Sequence, residues 1–217
     1  MEKQLGLKKE LRPAPTLDFE KSAAKFGYVN IAGVDEAGRG PLAGPVVIAA
    51  VILGKYWKSK YLLNDSKKLS LRKRENLFDI ICNEAKAFNI VSISPKEIDK
   101  LNILRATLFG MGKCLSEMTP KPDYAIIDGN HYPQIEVPGE TVIKGDERSK
   151  SIAAASILAK VTRDRFMIEK AKLYPEWGFE VHKGYATKMH RKAIAEFGLT
   201  PMHRKSFKLK VKQLDLF

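Results

Sequence analysis

Two adjacent carboxylates, Asp35 and Glu36, are the residues of this sequence whose types and spacing are best suited to chemistry. They close a run of small and apolar residues, and Gly38-Arg39-Gly40 follows one residue later. Carboxylates at the end of a strand attract hard divalent cations. An arginine framed by glycines allows both backbone and guanidinium to approach a phosphate or sugar closely. The pattern therefore indicates metal-dependent chemistry on a phosphodiester.

Two further aspartates follow short apolar runs, as Asp35 does. Asp128 comes directly after residues 125–127, and Asp146 comes after residues 142–145 and opens a long helical pattern. Taken singly, each has a purely structural interpretation, because aspartate is common in turns and at helix N-caps. In α/β sheets, however, such strand ends gather in one crevice. We therefore expect these carboxylates to converge.

Four converging carboxylates would repel one another, and some would have to take up protons. Mg²⁺ or Mn²⁺ removes that conflict, because both ions favour oxygen ligands and keep water in their coordination shell. Two such ions about 3.5–4 Å apart can hold the attacking and leaving oxygens of an in-line phosphoryl displacement. The sequence shows no zinc-binding His-Glu-x-x-His, Walker-type loop or Gly-x-Ser-x-Gly elbow. The predicted metal ligands and catalytic residues are Asp35, Glu36, Asp128 and Asp146.

The charge of the chain predicts a polyanionic partner. Its 217 residues carry 38 Lys and Arg against 25 Asp and Glu, a net charge of +13. Such a balance is typical of nucleic-acid binding, although a basic surface tuned for solubility is the alternative. The basic residues cluster within residues 55–74 and from residue 201 onward. Two separate runs favour a surface that follows a nucleic-acid backbone.

Neither a secretory signal nor an apolar run of membrane-spanning length is visible. Cys82 and Cys114 fall within apolar helical patterns, and we expect both to be reduced thiols. We accordingly expect a cytoplasmic, monomeric protein that does not bind membranes.

Hydrophobic periodicity predicts an α/β fold with a mixed sheet flanked by helices. The predicted strands are residues 28–34, 46–53, 88–93, 124–127 and 140–143, and the predicted helices are residues 71–87, 94–118, 149–173 and 187–197. Adjacent strand residues point to opposite faces. For Asp35 and Glu36 to serve one site, we therefore expect the first strand to end at Asp35 and the chain to turn.

The sequence resembles ribonuclease HII of the bacterial type. Residues 33–46 are similar to the first motif of that family. The other resembling motifs follow in order, at residues 64–69, 127–130, 144–146, 151–164, 182–185 and 203–207. The resemblance covers residues 28–207, and an aspartate at position 146 favours this family over the related ribonuclease HIII, which has glutamate there.

This resemblance implies a ribonuclease H-like fold with a helical C-terminal part. It implies cleavage of the RNA strand of RNA–DNA hybrids and incision 5′ of single ribonucleotides in duplex DNA, leaving 3′-hydroxyl and 5′-phosphate ends. Such an activity would serve DNA replication and ribonucleotide excision repair. The implied substrate-binding residues are Gly38, Arg39 and Gly40 at the 2′-hydroxyl, Tyr185 against the sugar, and Lys67 and Lys144.

We predict three segments: an N-terminal extension over residues 1–27 with one short helix, a catalytic domain over residues 28–200, and a basic tail over residues 201–217. The end of the tail resembles the pentapeptide by which bacterial proteins dock on the replicative sliding clamp. The residues implied in clamp binding are Gln213, Leu214, Leu216 and Phe217. The alternative is a tail whose apolar residues fold back on the domain.

Two other functions compete with a ribonuclease. A non-catalytic nucleic-acid binder would use the basic runs, but it leaves the four strand-end acids unexplained. Another nuclease of the same broad fold, such as a junction resolvase or an integrase, would cut all-DNA substrates.

Overall fold

The computed structural model describes residues 14–54, 57 and 69–207. A five-stranded sheet forms its centre, in the order β3-β2-β1-β4-β5. β1 pairs with β2, and β2 with β3, in antiparallel fashion, whereas β1–β4 and β4–β5 are parallel. The strands are β1 (Ile31–Ala37), β2 (Val46–Ile52), β3 (Ala87–Ile93), β4 (Tyr124–Asp128) and β5 (Gly139–Val142). The predicted mixed α/β sheet is therefore confirmed.

Seven α-helices are found in the described part of the chain. They are α1 (Asp18–Lys25), α2 (Leu71–Glu84), α3 (Pro95–Leu101), α4 (Ile103–Ser116), α5 (Lys150–Ala171), α6 (Phe179–His182) and α7 (Lys188–Phe197). Short 3₁₀ turns lie at Gly145–Glu147 and Pro175–Trp177. Among these described helices, none combines the length and the apolar character that crossing a bilayer requires.

The alternation of side chains along β1 and β2 divides the core into two layers. On one face, Ala32 and Val34 pack with α3 and α4. On the other face, Val47 and Ala49 pack with α2 and with the alanine-rich half of α5. The sheet therefore lies between two helical layers, and residue Asp35 belongs to the face that α5 covers.

The sheet and α5 approach each other closely at Gly33, where α5 lies directly on β1. A Cβ atom at Gly33 would come within 2.2 Å of the carbonyl carbon of Ser151. Only glycine permits a backbone contact of this kind. The consequence is that the first turn of α5 is held next to the strand that carries Asp35.

The prediction that the first strand ends at Asp35 is wrong. The antiparallel ladder with β2 continues through Glu36 to Ala37, which pairs with Val47. The chain turns only at Gly38, whose φ of 100° is a conformation that favours glycine. The strand continues because β2 offers it a partner at every position.

The predicted continuous helix over residues 94–118 is in fact two helices. Asn102 has a φ of 64° and separates α3 from α4, and its side chain accepts a hydrogen bond from the Arg105 amide at 3.1 Å. The apolar spacing continues across this break and therefore does not reveal it. A capping box begins α3, since Ser94 and Glu97 exchange side-chain and backbone hydrogen bonds.

A cluster of three histidines organises the helical C-terminal part. The Nε2 atoms of His190 and His203 lie 3.1 Å apart, and the rings of His182 and His190 stack at 4.3 Å. Because the Thr200 amide donates to Nδ1 of His203, the Nε2 atom of His203 carries the proton and donates to His190. The Nδ1 atom of His190 then donates to the Tyr185 carbonyl at 2.9 Å. This network requires neutral rings.

We expect the histidine cluster to make the fold sensitive to mild acid. Burial lowers the pKa of His190 to about 4 and also lowers the pKa of His182 and of His203. The unfolded chain, with histidine pKa values of about 6.5, binds more protons below that pH, so the free energy of unfolding falls as the pH falls from about 6.5 toward 5. Urea unfolding of the wild type at pH 7, 6 and 5 measures this slope.

A His190→Gln variant should lose less stability over the same pH interval, because it lacks one of the buried histidines whose protonation the fold opposes. The matched control is His131→Gln, which removes an exposed histidine and should keep the wild-type slope. Equal slopes in all three proteins would contradict the assignment.

Candidate active site

The carboxylate of Asp35 is enclosed between β1 and α5. It is 5% exposed and hydrogen-bonds the Ser156 side chain of α5. Burial raises the pKa of Asp35 well above its ordinary value, and the negative charges of Glu36 and Asp128 raise it further. Three of the four acids singled out in the sequence therefore share one electrostatic neighbourhood.

Glu36 joins this neighbourhood although the strand does not turn before it. The Glu36 amide donates to Oδ1 of Asp35 at 2.7 Å, and Oε1 of Glu36 lies 3.5 Å from Nη1 of Arg39. The Glu36 side chain is mostly buried, whereas that of Arg39 is half-exposed. The end of β1 and the turn after it are thus joined by an ion pair of opposite charges at the rim of the site.

Asp128 is placed by the parallel pairing of β1 with β4. Val34 pairs with Ile127 in this ladder, so the next residue of each strand is an aspartate. Oδ1 of Asp128 also accepts a hydrogen bond of 2.6 Å from the Gly145 amide. The side chain therefore lies beside Asp35 and is fixed from the opposite side by the segment that carries Asp146.

Asp146 belongs to the single 3₁₀ turn Gly145–Glu147 that precedes α5. It is 6% exposed. A Cβ at Gly145 would lie 2.5 Å from the Ile152 Cδ1 and 3.2 Å from the Asp128 Oδ1, so this turn packs tightly between α5 and β4. Asp146 is thereby held near Asp128, because the preceding residue, Gly145, donates a hydrogen bond to the Asp128 carboxylate.

The chemistry of this donor set suits a hard divalent cation, because its side chains supply oxygen alone. The raised pKa of Asp35 beside two like charges is the electrostatic strain that a bound cation would relieve. The carboxylates do not form a closed ligand set, however. Within residues 14–54, 57 and 69–207, no three His, Cys, Asp or Glu side chains are arranged to hold a metal ion.

The turn Gly38-Arg39-Gly40 is held by a buried arginine that is distant in sequence. Arg204 is 2% exposed, and its guanidinium donates to the carbonyls of Gly38 at 2.6 Å, Arg39 at 3.0 Å and Gly44 at 2.9 Å. Burial and the neighbouring Arg163 lower the pKa of Arg204 to about 9. The planar fork of arginine suits this task, since three carbonyls are engaged at once.

A second buried arginine braces the same loop from α5. Arg163 is fully buried and donates to the carbonyls of Pro45, Ala43 and Lys183, each at 3.0 Å. A Cβ at Gly38 would lie 2.1 Å from Nε of Arg163, so glycine is required there. The two guanidiniums fix the loop through its carbonyl oxygens.

Sequence reasoning missed the role of these arginines. It counted Arg204 with the basic tail that would follow a nucleic-acid backbone, and that assignment is wrong because the side chain is buried. A buried arginine leaves no periodic signal, and its partners here are carbonyls up to 166 residues away. Its place within a motif at residues 203–207 was the one available hint.

The structure brings Tyr185 to the same turn. Its ring is 43% exposed, and its Cε1 lies 4.0 Å from where a Cβ would stand on Gly40. The Gly184 carbonyl accepts from the Leu42 amide at 2.9 Å, which ties the Tyr185 segment to the loop. An exposed aromatic face therefore stands next to an exposed glycine backbone.

Of the remaining predicted residues, the structure describes only Lys144. Lys144 is exposed, has a φ of 56°, and directly precedes the turn that carries Asp146. The other five predicted residues lie outside the described part of the chain: Lys67, Gln213, Leu214, Leu216 and Phe217.

Comparison with known proteins agrees with this architecture. The sequence model of the family "Ribonuclease HII" matches residues 32–210. The chain is 48% identical over 203 residues to a ribonuclease HII of Clostridioides difficile strain 630, covering 93% of this chain and 79% of that protein. It is 52% identical over 187 residues to a ribonuclease HII of Coxiella burnetii strain Dugway 5J108-111, covering 86% and 92% respectively.

Among solved structures, the chain is similar to the one described as the PCNA:RNase HII complex from Archaeoglobus fulgidus. The TM-score is 0.72 at 28% identity, and the match covers 87% of this chain and 100% of that one. The family match, over residues 32–210, includes all five strands except Ile31 and all four acids. The chain therefore belongs to the ribonuclease HII family, endoribonucleases that hydrolyse RNA–DNA hybrids.

Proposed function

We propose that this ribonuclease incises duplex DNA on the 5′ side of a single embedded ribonucleotide, leaving 3′-hydroxyl and 5′-phosphate ends. The observation that carries the proposal is the Gly38-Arg39-Gly40 turn beside the paired carboxylates. Arg204 binds the turn through its carbonyls, and Arg163 braces the residues that follow it, Ala43 and Pro45. A rigid backbone next to the acids can test one sugar before the adjacent bond is cut. This arrangement does not require a long RNA tract.

The turn and Tyr185 form the surface that would recognise the ribose. Gly40 and Arg39 are exposed, and the absence of a side chain at Gly40 leaves room for a sugar against the Tyr185 ring. A 2′-hydroxyl both donates and accepts hydrogen bonds, so backbone groups of the turn can distinguish it from a deoxyribose. Arg39 supplies the positive charge for the neighbouring phosphate.

Ribonucleases of this family depend on divalent metal ions. We propose that the ligands here are Asp35, Glu36, Asp128 and Asp146, with Mg²⁺ or Mn²⁺ as the ion. When bound, two such ions would activate the attacking water and stabilise the leaving 3′-oxygen. Other groups of the chain orient these carboxylates. Ser156 hydrogen-bonds Asp35, the Gly145 amide donates to Asp128, and Arg39 pairs with Glu36.

The basic character of the chain would serve the binding of the duplex, with Lys144 beside the acidic site and Lys67 as further contacts to the backbone. We also propose that the C-terminal pentapeptide docks on a sliding clamp. The similar Archaeoglobus fulgidus enzyme is described in complex with PCNA, which supports a partner of this kind. Asp99 of α3 accepts from the amides of Lys205 and Ser206 at 3.0 and 2.9 Å, so the segment leading to the pentapeptide starts from a fixed point.

The discriminating experiment uses two duplexes that differ in one 2′-hydroxyl. With Mg²⁺ or Mn²⁺, we expect cleavage only of the duplex that contains the ribonucleotide, at the bond 5′ to it. Extension of the product by a DNA polymerase reads out the 3′-hydroxyl end. Similar cleavage of the all-DNA duplex would instead indicate another nuclease of this fold, and binding without cleavage would indicate a non-catalytic protein.

Replacing Asp35 by Asn should reduce incision roughly a hundredfold or more, because an amide is a poor ligand for a hard cation. The melting temperature should not fall, since the change removes a buried charge that two other carboxylates repel. Mn²⁺ should raise the melting temperature of the wild type more than that of the variant. Asp79→Asn, an exposed acid of α2, is the control and should behave as the wild type. Near-normal cutting by Asp35→Asn would refute the metal site.

Replacing Arg204 by Lys should lower the cleavage rate about tenfold or more, because a single ammonium cannot engage three carbonyls. The loss should appear in kcat on the single-ribonucleotide duplex at a salt concentration that keeps binding intact. Lys205→Met removes an exposed charge one residue later and should change mainly KM. If both variants change only KM, Arg204 does not hold the turn for catalysis.

A further inference from the structure

We propose that Glu20, in the N-terminal helix α1, positions the acidic segment around Asp146 by capping α5 from outside that helix. α1 precedes residues 32–210, the part of the chain that the family model matches. The catalytic consequence rests on the proposed function, whereas the positioning itself does not.

A single carboxylate oxygen of Glu20 gathers the first donors of α5. Oε1 of Glu20 accepts from the Ser149 hydroxyl at 2.7 Å, the Ser151 amide at 3.0 Å and the Ser151 hydroxyl at 2.6 Å. Ser149 is the N-cap of α5 and accepts from the Ile152 amide. The first amides of a helix have no partner within it, and an anion there is stabilised by the helix dipole. Glu20 therefore completes a cap that Ser149 begins.

Three further contacts fasten α1 and the residues just before it at this position. The Thr16 amide donates to the Arg148 carbonyl at 3.0 Å, and the Lys150 amide donates to the Thr16 carbonyl at 2.9 Å. The Arg148 guanidinium lies 5.1 Å from the centre of the Phe19 ring. The segment before α5 is thus held by backbone contacts from Thr16 and by aromatic and carboxylate contacts from α1.

A chain of hydrogen bonds leads from Glu20 to the candidate active site. The Ser149 amide donates to the Gly145 carbonyl at 2.8 Å, and the Gly145 amide donates to Asp128 at 2.6 Å. Asp146 lies within the turn that this chain encloses. Glu20 thus fixes the first residues of α5, and the turn that carries Asp146 is hydrogen-bonded to them.

The same carboxylate acts on β1 as well. The Ser151 hydroxyl, which Glu20 engages, would lie 2.4 Å from a Cβ on Gly33, two residues before Asp35. Oε2 of Glu20 is also buried, and among the described residues it has no hydrogen-bond partner. A glutamine would place two amide hydrogens there, so the site is built for a carboxylate rather than its isostere.

Amide hydrogen exchange of the whole chain, without metal or substrate, tests the positioning directly. In Glu20→Ala and Glu20→Gln, we expect amides of residues 145–152 to exchange roughly tenfold faster or more, because alanine removes the acceptor and glutamine removes its negative charge. Amides of β2 and β3 should keep their rates. The control Asp18→Asn removes an exposed acid from the same helix and should leave the whole pattern unchanged.

A second readout links the positioning to the site. The Mn²⁺ concentration for half-maximal cleavage should rise roughly tenfold in Glu20→Ala, as when a group that orients a metal ligand is removed. Unchanged exchange in residues 145–152, or equal acceleration throughout the chain, would overturn the proposal. If the wild type cleaved no substrate, the proposed function would fail, and the exchange pattern would still decide whether Glu20 positions this segment.

Discussion

The structure depends on holding like charges together. Asp35 is buried next to Glu36 and Asp128, so the fold must supply the free energy that keeps three carboxylates in mutual reach. Each is held by a different device: a side-chain hydrogen bond from α5, an ion pair with Arg39, and the backbone amide of Gly145. Enzyme sites are commonly places where local stability is given up for reactivity. Here the neighbouring layers of the fold compensate for it.

Two kinds of contact provide that compensation. On the side of the acids, glycine allows backbones to approach, as where Gly33 meets the first turn of α5. On the side of the Gly38-Arg39-Gly40 turn, the buried side chains of Arg163 and Arg204 bind carbonyl oxygens. Glycine lacks a side chain and so lets two backbones touch. The arginines connect backbone segments that do not touch, by hydrogen bonds from their guanidinium groups. Both kinds of contact keep the carboxylates and the Gly38-Arg39-Gly40 turn on rigid backbone.

How far the sequence predicts this structure depends on the range of the interactions. Asp35 and Asp128 were predictable because each directly follows a run of small and apolar residues, a local pattern, and the mixed sheet followed from the order of strands and helices. The break at Asn102 was not predictable, since the apolar spacing continues across it. The burial of Arg204 was not predictable either, because its partners at residues 38, 39 and 44 are distant in sequence. The resemblance to a family singled out Tyr185, which the structure brings next to Gly40, whereas its residue type alone could not.

The position of Arg204 along the chain has a consequence for synthesis. All four acids are present once residue 146 has been made, yet the guanidinium that fixes the turn at Gly38 comes 166 residues after that turn. During translation the acids therefore precede the group that secures the Gly38-Arg39-Gly40 turn. A chain broken off before residue 204 would possess the acidic cluster without that brace. The order of residues thus delays completion of this turn until residue 204 has been synthesised.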